Sequence, residues 1–202
     1  SFAYPNIYMT YFLRDIKDVL GLIDDYKLVR LIEAMAVQIG HIVNYQELSQ
    51  VSEYAHVTLK KYLNILDKTF ICQMVRPYYS NRRKEIVKNP KVYFFDTGLR
   101  NHIIDTFNTI NKRSDKGQLY ENFIFTELTK DDREINYWRN QTQAEVDFVV
   151  RLSGSYIPLE SKGHLNQGKA SKSLSSFLNK YQPPIAIVLN DSYFPPITKN
   201  KT

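Results

Sequence analysis

The sharpest alternation of polar and apolar positions lies between residues 145 and 162. In Glu145-Val-Asp147-Phe-Val-Val-Arg151 a strand sets Glu145, Asp147, Val149 and Arg151 on one face and Val146, Phe148 and Val150 on the other. The next run, Tyr156-Ile-Pro-Leu-Glu160-Ser-Lys162, carries Glu160 and Lys162 on a common face. A two-residue turn at Ser153-Gly154 pairs Leu152 with Ser155, and that register sets Asp147 across from Glu160. Helical spacing governs the flanking segments. Glu121, Ile124, Phe125 and Leu128 form one stripe of a helix spanning Gly117 to Leu128, so Glu121 faces inward among apolar neighbours. Tyr137–Asn140 reads as a strand. Asn166 to Tyr181 reads as a helix with Ala170, Leu174, Phe177, Leu178 and Tyr181 inward, and Pro184 to Leu189 as a buried strand. The second half therefore has the order α-β-β-β-α-β.

The first half is patterned as helices. A helix from Tyr26 to about Ile39 has Leu28, Leu31, Ile32, Met35 and Ile39 as its stripe and ends at Gly40. A short helix covers Tyr45 to Val51, and a third runs from His56 to Lys68 with Leu59, Leu63 and Leu66 inward. Two strands follow, Phe70–Val75 and Lys91–Phe95, joined through a basic tip at Asn81-Arg-Arg-Lys84. Helices and hairpin together predict a winged helix-turn-helix. Such a module lays its third helix in the DNA major groove and its wing on the phosphates, which makes His56, Thr58, Lys60, Lys61, Arg82, Arg83 and Lys84 the candidate DNA contacts. The alternative is a winged helix used for assembly, its charges solvated. Ahead of these, Tyr4, Ile7, Tyr8, Tyr11, Phe12, Ile16 and Leu20 mark an aromatic-rich helical stripe that needs cover. The expected domains are 1–112, the N-terminal helix plus winged helix, and 113–202.

The hairpin chemistry is specific enough to weigh. Directly opposed carboxylates sit about 5 Å apart and repel, so Asp147 facing Glu160 calls for a compensating cation. A hard divalent ion such as Mg²⁺ or Mn²⁺ binds through one or two carboxylates plus water and phosphate oxygens, and an adjacent ammonium steadies a phosphate. The alternative is an ordinary solvated hairpin in which Glu145 opposes Lys162. An inward Glu121 adds a third carboxylate that burial penalises unless it is neutralised. The order of elements, with Glu121, Asp147 and Glu160-x-Lys162 in these places, resembles the PD-(D/E)XK, or restriction-endonuclease-like, core. One motif competes. Gly163-His-Leu-Asn-Gln-Gly168-Lys169-Ala170 approaches a phosphate-binding P-loop, but Ala170 stands where a Mg²⁺-ligating hydroxyl belongs and little chain remains for a parallel sheet. No ATP site is expected here, and Lys169 instead falls where a helix residue approaches a phosphate.

A net charge of +6 on 202 residues favours an anionic partner, and an aromatic fraction of 13% supplies rings able to stack on bases. The single cysteine, Cys72, excludes an internal disulfide and a cysteine metal cluster, and its apolar neighbours predict a core residue. No apolar run approaches a membrane span, so cytoplasmic residence without membrane contact is the expectation. The lack of an initiator Met predicts an excised or processed piece.

Taken together, Tyr8-Met-Thr-Tyr-Phe-Leu-Arg14-Asp15-Ile16, Asn44-Tyr45-Gln-Glu-Leu48, Thr58-Leu-Lys-Lys-Tyr62-Leu, Asn89-Pro-Lys-Val-Tyr-Phe-Phe-Asp96-Thr97-Gly98-Leu99, Gly117-Gln-Leu-Tyr-Glu121-Asn122, and Tyr137-Trp138-Arg139 through Ala144-Glu-Val-Asp147-Phe resemble the C-terminal region of a prokaryotic family of AAA-type ATPases. The resemblance spans nearly the whole chain. It implies an α+β, α/β architecture: a winged helix followed by a PD-(D/E)XK-like domain, with the ATPase upstream in the parent protein. It also implies metal binding by Glu121, Asp147 and Glu160, and water activation or transition-state stabilisation by Lys162. Ser161 departs from the pattern, since an apolar residue is commoner there. The function so implied is a Mg²⁺-dependent DNA endonuclease. The alternative is a non-catalytic DNA-binding or assembly module of the ATPase.

Overall fold

The computed structural model describes residues 25–79, 89–131, 133–152, 154–163 and 170–190. The N-terminal aromatic stripe, the basic tip with Arg82, Arg83 and Lys84, and Lys169 lie outside them. The chain is mixed α+β and divides into two compact units, residues 1–74 with 89–113, and residues 75–88 with 114–202.

In the first unit, α1 (Asp25–Val37), α2 (Tyr45–Ser52) and α3 (His56–Lys68) follow the predicted spans closely. The inward stripes are buried as the periodicity requires: Leu28, Leu31, Ile32 and Met35 from α1 meet Leu48 from α2 and Leu59, Leu63 and Leu66 from α3 in one core. Boundaries are set by local chemistry. The chain turns after α1 at Gly40, whose φ of 72° suits a residue without Cβ. Asn44 caps α2 by accepting from the Gln46 and Glu47 amides, both at 3.2 Å. At the far end of α2, Glu53 takes a left-handed φ of 57° and receives Arg30 at 2.7 Å and the Tyr26 hydroxyl at 3.0 Å, which ties α1 to α2. Strands β1 (Cys72–Val75) and β2 (Lys91–Phe94) form a two-stranded sheet. A further helix, α4 (Thr97–Ile103), was not expected from periodicity. It is short, capped by Asp96 accepting from the Leu99 amide at 2.6 Å, and it anchors by a buried Arg100 whose Nε donates to the Ala36 carbonyl at 2.8 Å.

In the second unit, α5 (Lys116–Thr129) precedes a four-stranded sheet of order β3-β4-β5-β6, with β3 Ile135–Arg139, β4 Glu145–Leu152, β5 Ser155–Lys162 and β6 Ile187–Asn190. The hairpin register is the one the alternation predicts: Leu152 pairs with Ser155 and Phe148 with Leu159 in an antiparallel ladder. Strand β6 runs parallel to β5. Residues 76–78 lie along the outer side of β3, where the Tyr137 amide donates to Arg76 O at 3.1 Å and Pro77 bridges Tyr137. Helix α6 (Lys172–Tyr181) covers one face of the sheet with Leu174 and Phe177 on Trp138, Val146 and Val149.

Two expectations are corrected. Helix α6 starts at Lys172 rather than Asn166, because the Ser171 hydroxyl caps it by accepting from the Leu174 amide at 3.0 Å, leaving Ala170 outside the helix. The Pro184–Leu189 run is not a buried strand. Strand β6 closes the order of the sheet at an edge; Val188 packs with α6, but Ile185, Ile187 and Leu189 are exposed.

Candidate functional site

The β4–β5 hairpin and α5 bring the four candidate residues to one end of the second unit. The β4–β5 ladder ends at the Phe148–Leu159 pair, next to Asp147 and Glu160, and the β3–β4 ladder shifts register between Val146 and Val149. The Asp147 carboxylate reaches across to β5, where its Oδ2 accepts from the Ser161 amide at 2.7 Å. Glu160 is only 3% exposed. Its Oε1 accepts from Lys162 Nζ at 3.0 Å, and its Oε2 is buried with no hydrogen-bond partner. Leaving a buried polar atom unsatisfied costs about 1–3 kcal/mol, and more for a charged one. Folding has thus retained a carboxylate oxygen that nothing in the described chain satisfies.

Lys162 reports the local field. Burial works against its charged form, yet the hydrogen bond and charge of Glu160, with the charges of Asp147 and Glu121, together hold its pKa above the ordinary lysine range. Glu121, on α5, therefore does act on the same point in space as the hairpin pair. On its other side β4 meets β3, where Glu145 lies opposite Arg139 and its carboxylate meets that guanidinium at 3.4 Å. Among the described residues no group of three or more His, Cys, Asp or Glu side chains is gathered closely enough to hold a metal ion. Asp147 and Glu160 share Lys162 as the cation on which both their charges act. Two carboxylates, one with an unengaged oxygen, fit a Mg²⁺ or Mn²⁺ ion that keeps water and phosphate oxygens in its remaining positions.

Beside this pair lies a cleft of about 500 Å³ between α5 and the β5–β6 edge. Tyr120, Phe123 and Ile124 form its helical wall, and Leu159, Ile187 and Leu189 its sheet wall, while Lys162 lines its rim. A Cβ added at Gly163 would lie 4.0 Å from Tyr120 Cε2, so the end of β5 reaches that ring. Lys116 Nζ stands 5.5 Å from the centre of the same ring. Sequence periodicity did not disclose this cleft, because Ile185 to Leu189 is an unbroken apolar run in which Ile187 and Leu189 are not distinguished from Val188.

On the first unit, His56, Lys60 and Lys61 of α3 are exposed and Thr58 is half-buried. His56 packs edge-on to Tyr45 at 5.9 Å between ring centres, and Lys60 Nζ lies 5.8 Å from the same ring. Tyr45 is the residue that sequence reasoning missed on this face: it gathers a histidine and a lysine one helical turn apart. Cys72 is fully buried, and burial, reinforced by the charge of Asp67, pushes its thiol far above the usual range, as suits a core residue rather than a nucleophile.

Comparison with known proteins adds the family. The family described as "Domain of unknown function (DUF8612)" matches residues 1–110, and this chain belongs to it. A second family, "Domain of unknown function (DUF4143)", matches residues 116–200. An uncharacterized protein of Mycobacterium tuberculosis is 29% identical over 167 residues, covering 80% of this chain and 38% of that protein. An uncharacterized protein of Haemophilus influenzae is 26% identical over 157 residues, covering 75% of this chain and 38% of that protein. The chain thus spans well under half the length of these relatives. No solved structure matches it. Among the described residues no helix is long and apolar enough to cross a membrane.

Proposed function

We propose that the second unit is a PD-(D/E)XK-type, Mg²⁺-dependent DNA endonuclease and the first a winged helix-turn-helix that binds DNA, both serving as the C-terminal part of an AAA-type ATPase. The observation that carries this reading is Glu160: a buried carboxylate, bonded to Lys162 through one oxygen and without a partner on the other, with the charge of Asp147 acting on the same lysine. In this reading Asp147 and Glu160 hold the metal and Glu121 adds to the negative field. When bound, the ion polarises a phosphate oxygen and lowers the pKa of its water. Lys162 stays protonated at neutral pH, because its neighbours raise its pKa. Its role is therefore to stabilise negative charge building on the phosphate, not to remove a proton.

The test is cleavage of linear, nicked, branched and single-stranded DNA with Mg²⁺ or Mn²⁺, for wild type, Asp147→Ala and Lys162→Ala. Metal-dependent cleavage lost in both variants supports the reading. The absence of a three-ligand cluster among the described residues favours a second one, in which the chain is a non-catalytic DNA-binding or assembly module. DNA binding without cleavage, unchanged in both variants, would select it.

A further inference from the structure

We propose that the cleft between α5 and the β5–β6 edge receives an unstacked nucleobase of a single-stranded nucleic acid, so that the unit engages frayed, flapped or gapped strands rather than intact duplex. The choice of a nucleic-acid occupant rests on the phosphodiester reading of the Asp147, Glu160 and Lys162 group; the groove itself does not.

The groove has the two properties such a ligand needs. Its walls are apolar and aromatic, and its volume of about 500 Å³ falls within the range of small-ligand pockets. Phe123 is 54% exposed, far more than a core aromatic, and it lines the cleft on the same helix as Tyr120. Cations stand by the aromatic wall: Lys116 over the Tyr120 ring, and Lys162, a lining residue whose ammonium also pairs with Glu160. The acid in the lining, Glu127, is neutralised by Lys130 at 2.6 Å. A purely apolar peptide could cover Ile187 and Leu189 but has nothing to offer the Lys116 ammonium. A nucleotide strand supplies a planar ring and an anion at every step, matching aromatic walls with a cationic rim. A stacked duplex cannot present a base face to a cleft in this way; the base has to leave the stack first.

The experiment uses this chain, metal-free with EDTA so that no strand is cut, and an oligonucleotide carrying 2-aminopurine, whose fluorescence falls when it stacks. Wild type should quench the probe in a single strand and bind that strand more tightly than a blunt duplex. Phe123→Ala should remove the quench and weaken single-strand binding by roughly 5- to 100-fold, the loss expected for one stacked base. Phe123→Trp should restore both, which separates loss of a ring from loss of fold. Duplex affinity should be unchanged throughout. Equal quenching by wild type, Phe123→Ala and Tyr120→Ala, or no preference for single strand, overturns the proposal. So does an apolar dye bound in the cleft that oligonucleotide fails to displace. Quenching without any metal-dependent cleavage would sink the nuclease and leave the groove; cleavage without quenching would do the reverse.

Discussion

Glu160 and Lys162 make one predictable pair out of two residues that would otherwise both be out of place. The glutamate is buried and the lysine is partly so, and each lowers the penalty of the other's charge. Removing the ammonium strands the carboxylate, so Lys162→Ala should reduce unfolding free energy at pH 7 by about 1–3 kcal/mol in urea melts followed by Trp138 fluorescence. The pH dependence has a definite sign. The folded-state pKa of Lys162 lies above its unfolded value of about 10.4, so the pair contributes fully below that pH and its contribution is lost as pH rises through the folded pKa. Wild type should accordingly lose stability relative to Lys162→Ala only in strongly alkaline solution, and a gap between the two that widens above pH 10 would contradict the assignment. Mg²⁺ should raise the melting temperature of wild type and not that of Asp147→Ala, since an ion that binds only the folded site stabilises by mass action.

At the scale of elements, α6 shows what a cap and a single ring contribute. Ser171→Ala leaves the Leu174 amide without its acceptor and should lower stability by about 1 kcal/mol. Phe177 is fully buried with its ring 5.3 Å from that of Trp138, so Phe177→Ala should cost about 3–5 kcal/mol and shift the emission of the single tryptophan. Thermal unfolding followed by that emission checks both. The same elements show what a linear pattern can disclose. The two-residue turn read at Ser153-Gly154 gave the β4–β5 register, which pairs Leu152 with Ser155 and Phe148 with Leu159, whereas strict alternation fails between Val146 and Val149, which a shift in the β3–β4 register brings into one cluster. Helical spacing on α5 turned Glu121 inward, and its charge does act on Lys162, but Glu121 is only half-buried and the fully buried positions of the helix are Asn122 and Phe125. The start of α6 was overshot because Ala170 fits the apolar period, while the competing hydrogen bond of Ser171 is local and stops the helix. The apolar run of β6 was read as buried because hydrophobicity does not reveal whether a strand is central or at an edge. Helix α4 depends on an arginine that finds a carbonyl far away in sequence, at Ala36, and no periodicity encodes that contact. The pairing of Glu145 with Arg139 likewise needed the β3–β4 register, which the hairpin alone does not supply.

On the scale of the whole molecule, the net charge of +6 acts through the few cations that a polyanion can reach. On the first unit these include Lys60 and Lys61, exposed on α3 beside the Tyr45–His56 contact. If that face carries DNA, its affinity comes from phosphates and the release of their counterions, and the logarithm of the binding constant falls linearly with the logarithm of salt concentration. Lys60→Ala and Lys61→Ala should each flatten that slope by about 1 and weaken binding alike on unrelated duplex sequences. Lys60 has the further task of standing over Tyr45, so Lys60→Ala should also change the surroundings of His56, visible as a shifted imidazole resonance, whereas Lys61→Ala should not. Slopes identical to wild type in both variants would show that α3 does not face DNA. The first unit would then be the assembly module of the second reading, because a surface that neutralises phosphates cannot lose a charge without losing salt dependence.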